Sequence, residues 1–287
     1  MQFSNNGSFQ YPANVKIPTN VTTVSDSAGA FRNHAEVVSI EFDSGSQLGT
    51  LANNSFSGCT GLKSIKFTTT LGLTIPNSCF YGNTSLETVT FAGSLNVGSA
   101  VSAFFNCYAL TQTTLEHILS KIGNNQIAQS MFDNCTSITA VNVPDSVTTI
   151  GANAFRGCKS LVEIDFNNAI VFSGQGVIAN CTSLKKVTFG DIPGSEYNPL
   201  STGNIWSGCT AIEDVVIPSG WNRNLLISNG TSNFTNVLTH DSMVAMINNL
   251  YDYSGGTAHA LTLGATNLAR LSAEEIAVAT AKNWSLT

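Results

Sequence analysis

The sequence predicts an α/β repeat solenoid: a stack of short parallel strands with short helical or irregular return segments, plus a small C-terminal α/β cap. Three observations predict it. A twelve-residue phrase recurs about every 25 residues, its last residues alternate between apolar and polar, and no copy could cover its own apolar face. The phrase is clearest at residues 155–166, FRGCKSLVEIDF. It opens on a large apolar anchor residue at Phe31, Phe56, Phe80, Phe104, Phe132, Phe155, Ile178 and Trp206.

Each copy of the phrase ends in a segment with the alternation of a half-buried strand. Counted from the anchor, the third position is usually Cys, the sixth Leu or Ile, the ninth Ile or Val, and the eleventh Phe, Ile or Val. Within residues 155–166, Ile164 and Phe166 would face the core. Glu163 and Asp165 would face the solvent. We therefore expect each repeat to contribute one short strand to a parallel sheet.

The return path of each coil is expected to be irregular. Residues 143–155, VPDSVTTIGANAF, place Pro and Asp-Ser in a turn, after which Ile150 re-enters the core. The phrase IPTNVTTV at residues 17–24 has the same pattern near the start of the sequence. Because no coil covers its own apolar face, neighbouring coils must stack and the terminal coils need caps.

Two segments, residues 110–122 and 238–250, have the spacing of short helices instead. LTQTTLEHILSKI and LTHDSMVAMINNL align without a gap, and Thr111 and Thr239 can cap their N-termini. We expect the first helix to replace a strand within the solenoid. The second would begin the C-terminal cap.

The C-terminal segment contains one further helix signal, because Ser272 and Glu275 form the capping-box pattern. The predicted organisation is an N-terminal half-repeat or cap at residues 1–30, a solenoid at 31–237 and a capping segment at 238–287. In such a stack, stability adds up along the chain.

The composition argues against several classes of partner. Hydrophobic residues make up 43% of the 287, enough for a sizeable core, and only 10% are charged, against about 25% in ordinary soluble proteins. The formal net charge of -6, without any Lys/Arg cluster, predicts no binding to nucleic acid. No apolar run approaches the roughly 18 residues of a membrane span, so we expect no membrane insertion.

Seven cysteines invite a disulfide or metal hypothesis, but six of them share the third position of the repeat. We expect buried free thiols, although stacked coils would also bring adjacent positions within disulfide reach. No Cys or His pair has the spacing of a zinc site. Cys79 stands directly before its anchor, where other repeats have Ala. The six are Cys59, Cys107, Cys135, Cys158, Cys181 and Cys209.

The sequence predicts no catalytic, cofactor-binding or metal-binding residue. The four histidines are scattered, and we expect them in solvated or core-edge positions. The segment GQGVIA at Gly174 imitates a dinucleotide-binding glycine loop, but it carries a repeat anchor, and a stacked coil has no crossover helix there. The histidines are His34, His117, His240 and His259.

The surface that remains for a ligand is the outward side of the predicted strands. There the eighth and tenth positions after each anchor line up as rows of short side chains. Solenoid curvature usually makes this the concave side. The rows are mixed in charge and nearly free of aromatic residues, so an ordinary solvated sheet face is the competing interpretation. The candidate ligand residues are Glu41, Lys66, Thr88, Thr90, Asn142, Glu163, Asp165, Lys186, Thr188 and Asp214.

The repeat resembles a known family. The phrase F-x-G/N-C-x-x-L-x-x-I-x-F, followed by I/V-P-x-S-V-x-x-I-G-x-x-A-F, resembles the BspA-like leucine-rich repeats of bacterial surface proteins over residues 31–217. CTGLKSIKF, CTSLKKVTF and CKSLVEIDF are nearly interchangeable. The tail, residues 261–287, is similar to the closing segment of such proteins and of relatives encoded by phages. The phrase departs from the pattern at His34 and Asn83, which replace Cys, and at Ile178 and Trp206, which replace Phe.

The resemblance implies a leucine-rich-repeat stack that works as an adhesion or binding module rather than as an enzyme. We predict a non-enzymatic extracellular recognition module that presents its surface to a host or neighbouring-cell protein or glycan. The alternative is a phage tail or receptor-binding protein that contacts other virion proteins, because residues 1–18 open with Met and lack the features of a signal peptide. Tail-assembly genes beside the coding gene would favour the alternative, and an upstream export signal would favour the surface protein.

Overall fold

The computed structural model describes residues 11–24, 30–98, 100–167, 171–190, 205–222, 224–226 and 237–287. Its elements, in chain order, are β1 (Asn14–Ile17), β2 (Thr23–Val24), β3 (Ser39–Phe42), β4 (Thr50–Leu51), β5 (Ser64–Phe67), β6 (Leu73–Thr74), β7 (Thr88–Phe91), β8 (Leu95–Asn96), α1 (Gln112–Lys121), β9 (Gln126–Ile127), β10 (Ala140–Asn142), β11 (Thr149–Gly151), β12 (Glu163–Asp165), β13 (Val171–Ser173), β14 (Lys186–Thr188), β15 (Asp214–Val216), β16 (Leu225–Leu226), α2 (His240–Asn249), β17 (His259–Thr262), α3 (Ala265–Leu268), α4 (Ala273–Ala281) and β18 (Trp284–Leu286).

The chain forms the predicted repeat solenoid, with the strand of each repeat pairing in parallel with that of the next. One four-stranded sheet has the order β1-β3-β5-β7 and a second has the order β10-β12-β14-β15. Helix α1 lies between β7 and β10, so it replaces one strand of the stack as predicted. Within each strand of these two sheets, buried and outward-facing residues alternate.

Shorter strands pair along the return path of the coils. They form the sheets β2-β4, β6-β8 and β13-β11-β9, also in parallel. At the C-terminal end β16, β17 and β18 form a further parallel sheet, α2 packs on β15, and α4 packs on α2 and β18. The predicted caps Thr111 and Thr239 and the capping box of Ser272 and Glu275 are all present. The division at residues 1–30, 31–237 and 238–287 stays a prediction.

The core is an unbroken spine of stacked anchor residues, all of which are buried. The ring centroids of Phe56 and Phe80 lie 5.4 Å apart, and those of Phe132 and Phe155 lie 5.5 Å apart, with nearly parallel planes. The spine continues between Phe104 and Phe132 at 5.5 Å, across the repeat that contains α1. The assigned register of the repeats is therefore confirmed.

The Gly or Asn that follows two positions after every anchor has a conformational cause. All eight residues at this position have positive φ, between 59° and 76°. Glycine adopts this left-handed region without steric cost, and Asn tolerates it better than most other residues. The eight are Asn33, Gly58, Gly82, Asn106, Asn134, Gly157, Asn180 and Gly208.

All seven cysteines are buried free thiols, as predicted. The six that share the third repeat position donate a hydrogen bond from Sγ to the backbone oxygen of the anchor in the preceding repeat. The distance is 2.7 Å from Cys59 to Phe31 and 3.2 Å from Cys181 to Phe155. The thiols therefore satisfy a buried carbonyl of each coil as well as filling space. The other four donors are Cys107, Cys135, Cys158 and Cys209.

Candidate ligand-binding face

The ten predicted ligand residues lie on the outward side of the two four-stranded sheets, which we call the strand face. The register pairs Glu41 with Lys66, and Glu163 with Lys186, which in turn pairs with Asp214. Because α1 separates the sheets, the structure brings the ten residues together as two groups rather than one row. Glu41, Lys66, Thr88 and Thr90 form the first group, and Asn142, Glu163, Asp165, Lys186, Thr188 and Asp214 form the second.

The first group is largely neutralised by its own charges. The ammonium of Lys66 lies 3.0 Å from Oε1 of Glu41, and both side chains are exposed. The pKa of the Glu41 carboxyl is lowered, first by the hydrogen bond from Lys66, then by the charge of Lys66, with a further contribution from Lys16. Lys16 pairs with Glu41 in the register and belongs to this group. The repeat pattern did not point to Lys16, because β1 precedes the first anchor.

Five residues of the second group, all except Asp214, line a shallow depression of about 230 Å³. Asn167 holds two of its polar residues in place: its backbone N–H donates to Oδ1 of Asp165 at 2.9 Å, and its Nδ2 donates to Oδ1 of Asn142 at 2.7 Å. Asn167 follows the strand, so the alternation within the strand gives no signal for it. The depression is lined by Ala140, Val141, Asn142, Glu163, Ile164, Asp165, Lys186 and Thr188.

A larger depression, of about 450 Å³, lies beside it where the second sheet meets α2. Lys186 lines both depressions. Lys185 forms an exposed ion pair with Glu213 at 3.5 Å. The sequence predicts that α2 begins a cap. Its residues line this depression because of the way the helix docks on β15. The lining residues are Lys185, Lys186, Glu213, Asp214, Thr239, Asp241, Ser242 and Ala245.

Side chains of both helices that border the strand face form hydrogen bonds with backbone groups at the sheet edges on which the helices pack. On one side of α1, Nε2 of His117 accepts a hydrogen bond from the backbone N–H of Phe91 at 2.9 Å. On its other side the side chain of Gln112 bonds to both the N–H and the C=O of Ala140. On α2, Oγ of Ser242 bonds to the N–H and the C=O of Val215 in the same manner. The helices therefore replace the missing neighbouring strands.

The described residues form no metal-binding cluster, and burial makes several of the thiols harder to ionise. Within these ranges no group of three or more His, Cys, Asp or Glu side chains could hold a metal ion. Desolvation by burial raises the pKa of Cys59 to about 12 and that of Cys107 further. The loop at Gly174 connects β13 directly to the coil of Ile178, without a crossover helix, as expected. No helix in the described part of the chain has the length and apolarity to cross a bilayer.

The fold and the face together define a leucine-rich-repeat solenoid with an open, polar strand face. The family model described as "BspA type Leucine rich repeat region" matches this chain in six copies, over residues 2–130 and 125–254. The chain therefore belongs to the BspA-type leucine-rich repeat family, as the resemblance implied. Family membership indicates a protein-binding repeat module. The comparisons bring nothing in favour of the phage alternative, which stays a prediction.

Three solved structures are similar to this chain at low sequence identity. A Treponema pallidum leucine-rich repeat protein is 20% identical over 62% of this chain and 73% of its own, with a TM-score of 0.31. A leucine-rich cell surface protein from Faecalibacterium prausnitzii A2-165 is 19% identical over 84% and 82%, with a TM-score of 0.33. A leucine-rich repeat protein from Bacteroides ovatus is 18% identical over 79% and 74%, with a TM-score of 0.35. No curated protein matches the chain.

Proposed function

We propose that this chain is a non-enzymatic extracellular recognition and adhesion module whose strand face binds a host or neighbouring-cell protein or glycan. The observation that carries the proposal is the in-register display of short polar side chains on two sheets, above a core that runs without interruption beneath both. A rigid surface of this kind lowers the entropic cost of binding, because its side chains are already in place.

The geometry of the second group favours it as the centre of the contact. Its two depressions share Lys186 and open to solvent side by side. The fixed amide of Asn142 and carboxylate of Asp165 present hydrogen-bonding groups in known positions. The first group, by contrast, holds its main ion pair between Lys66 and Glu41, and a ligand would have to compete with that pair.

The chemistry of the described residues supports a binding role rather than catalysis. Buried cysteines with raised pKa are poor nucleophiles, because the thiolate is the reactive form. The extracellular location rests on family membership and on a surface in which hydroxyls and amides replace charges. A broad hydrolase screen would contradict this part of the proposal if it found turnover that a single acidic substitution removed.

The proposal is tested by binding the intact chain to arrays of secreted proteins, cell-surface proteins and glycans. The double variant Glu163→Ala/Lys186→Ala removes one charge of each sign from the 230 Å³ depression and leaves the net charge unchanged. We expect it to weaken binding at least tenfold. The matched control is Lys159→Ala/Glu274→Ala, which removes the same charges from exposed positions outside both depressions. Binding to no array member, or equal binding by both double variants, would contradict the proposal.

A further inference from the structure

The residues that directly follow the anchors form a second row along the solenoid, and none of them lies on the strand face. Backbone bonds set their stacking: the N–H of Gly58 donates to the oxygen of Tyr81 at 2.8 Å, and that of Gly82 donates to the oxygen of Phe105 at 2.7 Å. Successive members are therefore one repeat apart. We call this set the anchor-edge row; it consists of Arg32, Ser57, Tyr81, Phe105, Asp133, Arg156, Ala179 and Ser207.

An aromatic pair stands in the middle of the anchor-edge row, outside the core. The rings of Tyr81 and Phe105 are stacked with centroids 4.8 Å apart and an interplanar angle of 1°. Tyr81 is 40% exposed and Phe105 is half-buried. Ser57, the neighbour of Tyr81 on the side away from Phe105, is small. Stacking covers one face of each ring, so the aromatic platform that the row presents is the ring surface left uncovered, mostly on Tyr81.

The next two members of the row are a fixed cation and its buried counter-ion. Nε of Arg156 donates to Oδ1 of Asp133 at 3.2 Å, and Nη2 lies 2.9 Å from Oδ2. The Asp133 side chain is fully buried, while that of Arg156 is 40% exposed. One hydrogen bond and one close ion-pair contact restrict the orientation of the planar guanidinium. The pair is neutral as a whole, and Arg156 keeps further N–H groups that can donate to a ligand.

Beyond Arg156 the row members become small, and a depression of about 550 Å³ opens. Arg156 forms one wall, and amide side chains supply most of the remaining polar groups. Apart from Arg156, none of the described residues of the lining carries a charge. The lining consists of Ala152, Asn153, Arg156, Gln175, Gly176, Ala179, Asn180 and Ser207.

We propose that the anchor-edge row binds an uncharged saccharide chain that lies along the solenoid axis. Amides, a hydroxyl and a fixed guanidinium supply donors and acceptors for sugar hydroxyls, and the rings of Tyr81 and Phe105 offer apolar contact to the C–H face of a sugar. From Tyr81 to Ser207 there are five repeat spacings of about 5 Å, or about 25 Å, so the row suits an oligosaccharide rather than a single sugar. Because the Arg156 and Asp133 charges cancel, the part of the row from Tyr81 to Ser207 does not favour an acidic polymer. The inference does not depend on ligand binding by the strand face.

The experiment is a glycan array of neutral and acidic oligosaccharides, probed with the intact chain at 0.15 M and 0.5 M NaCl. We expect binding to neutral members with little change between the two salt concentrations, because no net charge is neutralised. Ser207→Tyr, which fills the depression from an exposed position, should weaken binding at least tenfold. Its control is Thr210→Tyr, which adds the same ring at an exposed position outside the lining.

Tyr81→Ala removes the platform and should weaken binding by a similar factor. Its control is Tyr108→Ala, since Tyr108 is exposed to the same degree, at 42%, but does not belong to the row. Circular dichroism melts should be unchanged for Ser207→Tyr, so that loss of binding is not loss of folding.

The inference is wrong if no neutral saccharide binds, if binding is restricted to acidic glycans, or if both row variants bind normally. Loss of saccharide binding in Glu163→Ala/Lys186→Ala alone would instead place the sugar on the strand face and leave the proposed function intact.

Discussion

The imidazole of His117 takes the place of a strand for Phe91: its Nε2 accepts the backbone N–H of that residue at 2.9 Å. Phe91 ends the last strand of the first sheet, whose outer edge would otherwise have an unpaired donor. An unmade hydrogen bond at a partly buried backbone group is costly, so the helix does more than interrupt the strand face. It joins two sheets whose strands do not pair with each other.

Replacement of His117 by Ala should therefore destabilise the fold. The N–H of Phe91 would lose its acceptor in a partly buried position, at a cost of about 1–3 kcal/mol. The matched control is Thr113→Ala on the exposed side of the same helix, which should cost less than about 0.5 kcal/mol. Urea denaturation of the two variants checks the difference. Equal midpoints would show that the N–H of Phe91 is satisfied in another way.

The anchor spine predicts that substitutions in the core cost much more stability than substitutions on the strand face. Phe155 is fully buried and stacked on Phe132, so Phe155→Ala should cost on the order of 3–5 kcal/mol. Lys66→Ala removes only an exposed ion pair and should cost about half a kcal/mol or less. Urea melts of similar midpoint for both variants would be incompatible with the observed register.

The left-handed turn after the anchor predicts that Gly→Ala substitutions destabilise the fold by different amounts at different positions. Gly157 has a φ of 68°, and an added Cβ would lie 2.1 Å from Oδ1 of Asn134. Gly82 has a φ of 71° but open space around an added Cβ, whereas Gly49 has open space without the unusual φ. Gly82→Ala should cost about 1–2 kcal/mol from the backbone alone, Gly157→Ala more, and Gly49→Ala almost nothing. Thermal denaturation would refute this explanation if Gly82→Ala and Gly49→Ala were indistinguishable.

The capping box of α4 predicts that the stability contributed by the C-terminal segment depends on pH. The pKa of Glu275 is lowered, first by the hydrogen bond from the backbone N–H of Ser272 and also by the side chain of His240. The pKa of Glu275 in the folded chain lies below its unfolded value of about 4.3. The Glu275 carboxylate therefore makes its full contribution to stability at pH values above about 4.3. That contribution is lost as the pH falls through the folded pKa.

The variant Glu275→Ala should therefore be less stable than the native chain at pH 7, and the difference should shrink in acid below about pH 4. Glu274→Ala, at the neighbouring exposed position, serves as the control, because its carboxylate takes no part in the capping box. Guanidinium denaturation at several pH values measures the difference. A gap between Glu275→Ala and the native chain that is independent of pH would contradict the linkage.

Most of the fold could be predicted because one signal repeats. The spacing from Phe56 to Phe80 and onward places each strand, and the alternation of Ile164 and Phe166 with polar neighbours selects the buried side. The exchange of a strand for α1 was also predictable from its helical period. What could not be predicted is what His117 bonds to, because that depends on which sheet edge lies within reach of the helix.

The candidate site was less accessible to sequence reasoning than the fold. The ten strand-face residues lie where the register puts them, but their division into two groups and the depression beside α2 depend on how helices dock. Tyr81 and Arg156 each look like an ordinary surface residue in the linear sequence. Only the stacking of successive coils places them in one row, because residues in neighbouring repeats are about 25 positions apart in the chain.

The aromatic spine passes from Phe104 to Phe132 without a break, although the sheet above it is interrupted there. Each coil thus packs only against the coil on either side of it, and its packing does not depend on how many coils lie beyond. A gene with this design can lengthen or shorten its product by whole units through unequal crossing-over. The length of the molecule can therefore change by whole repeats without a change in the packing of its interior.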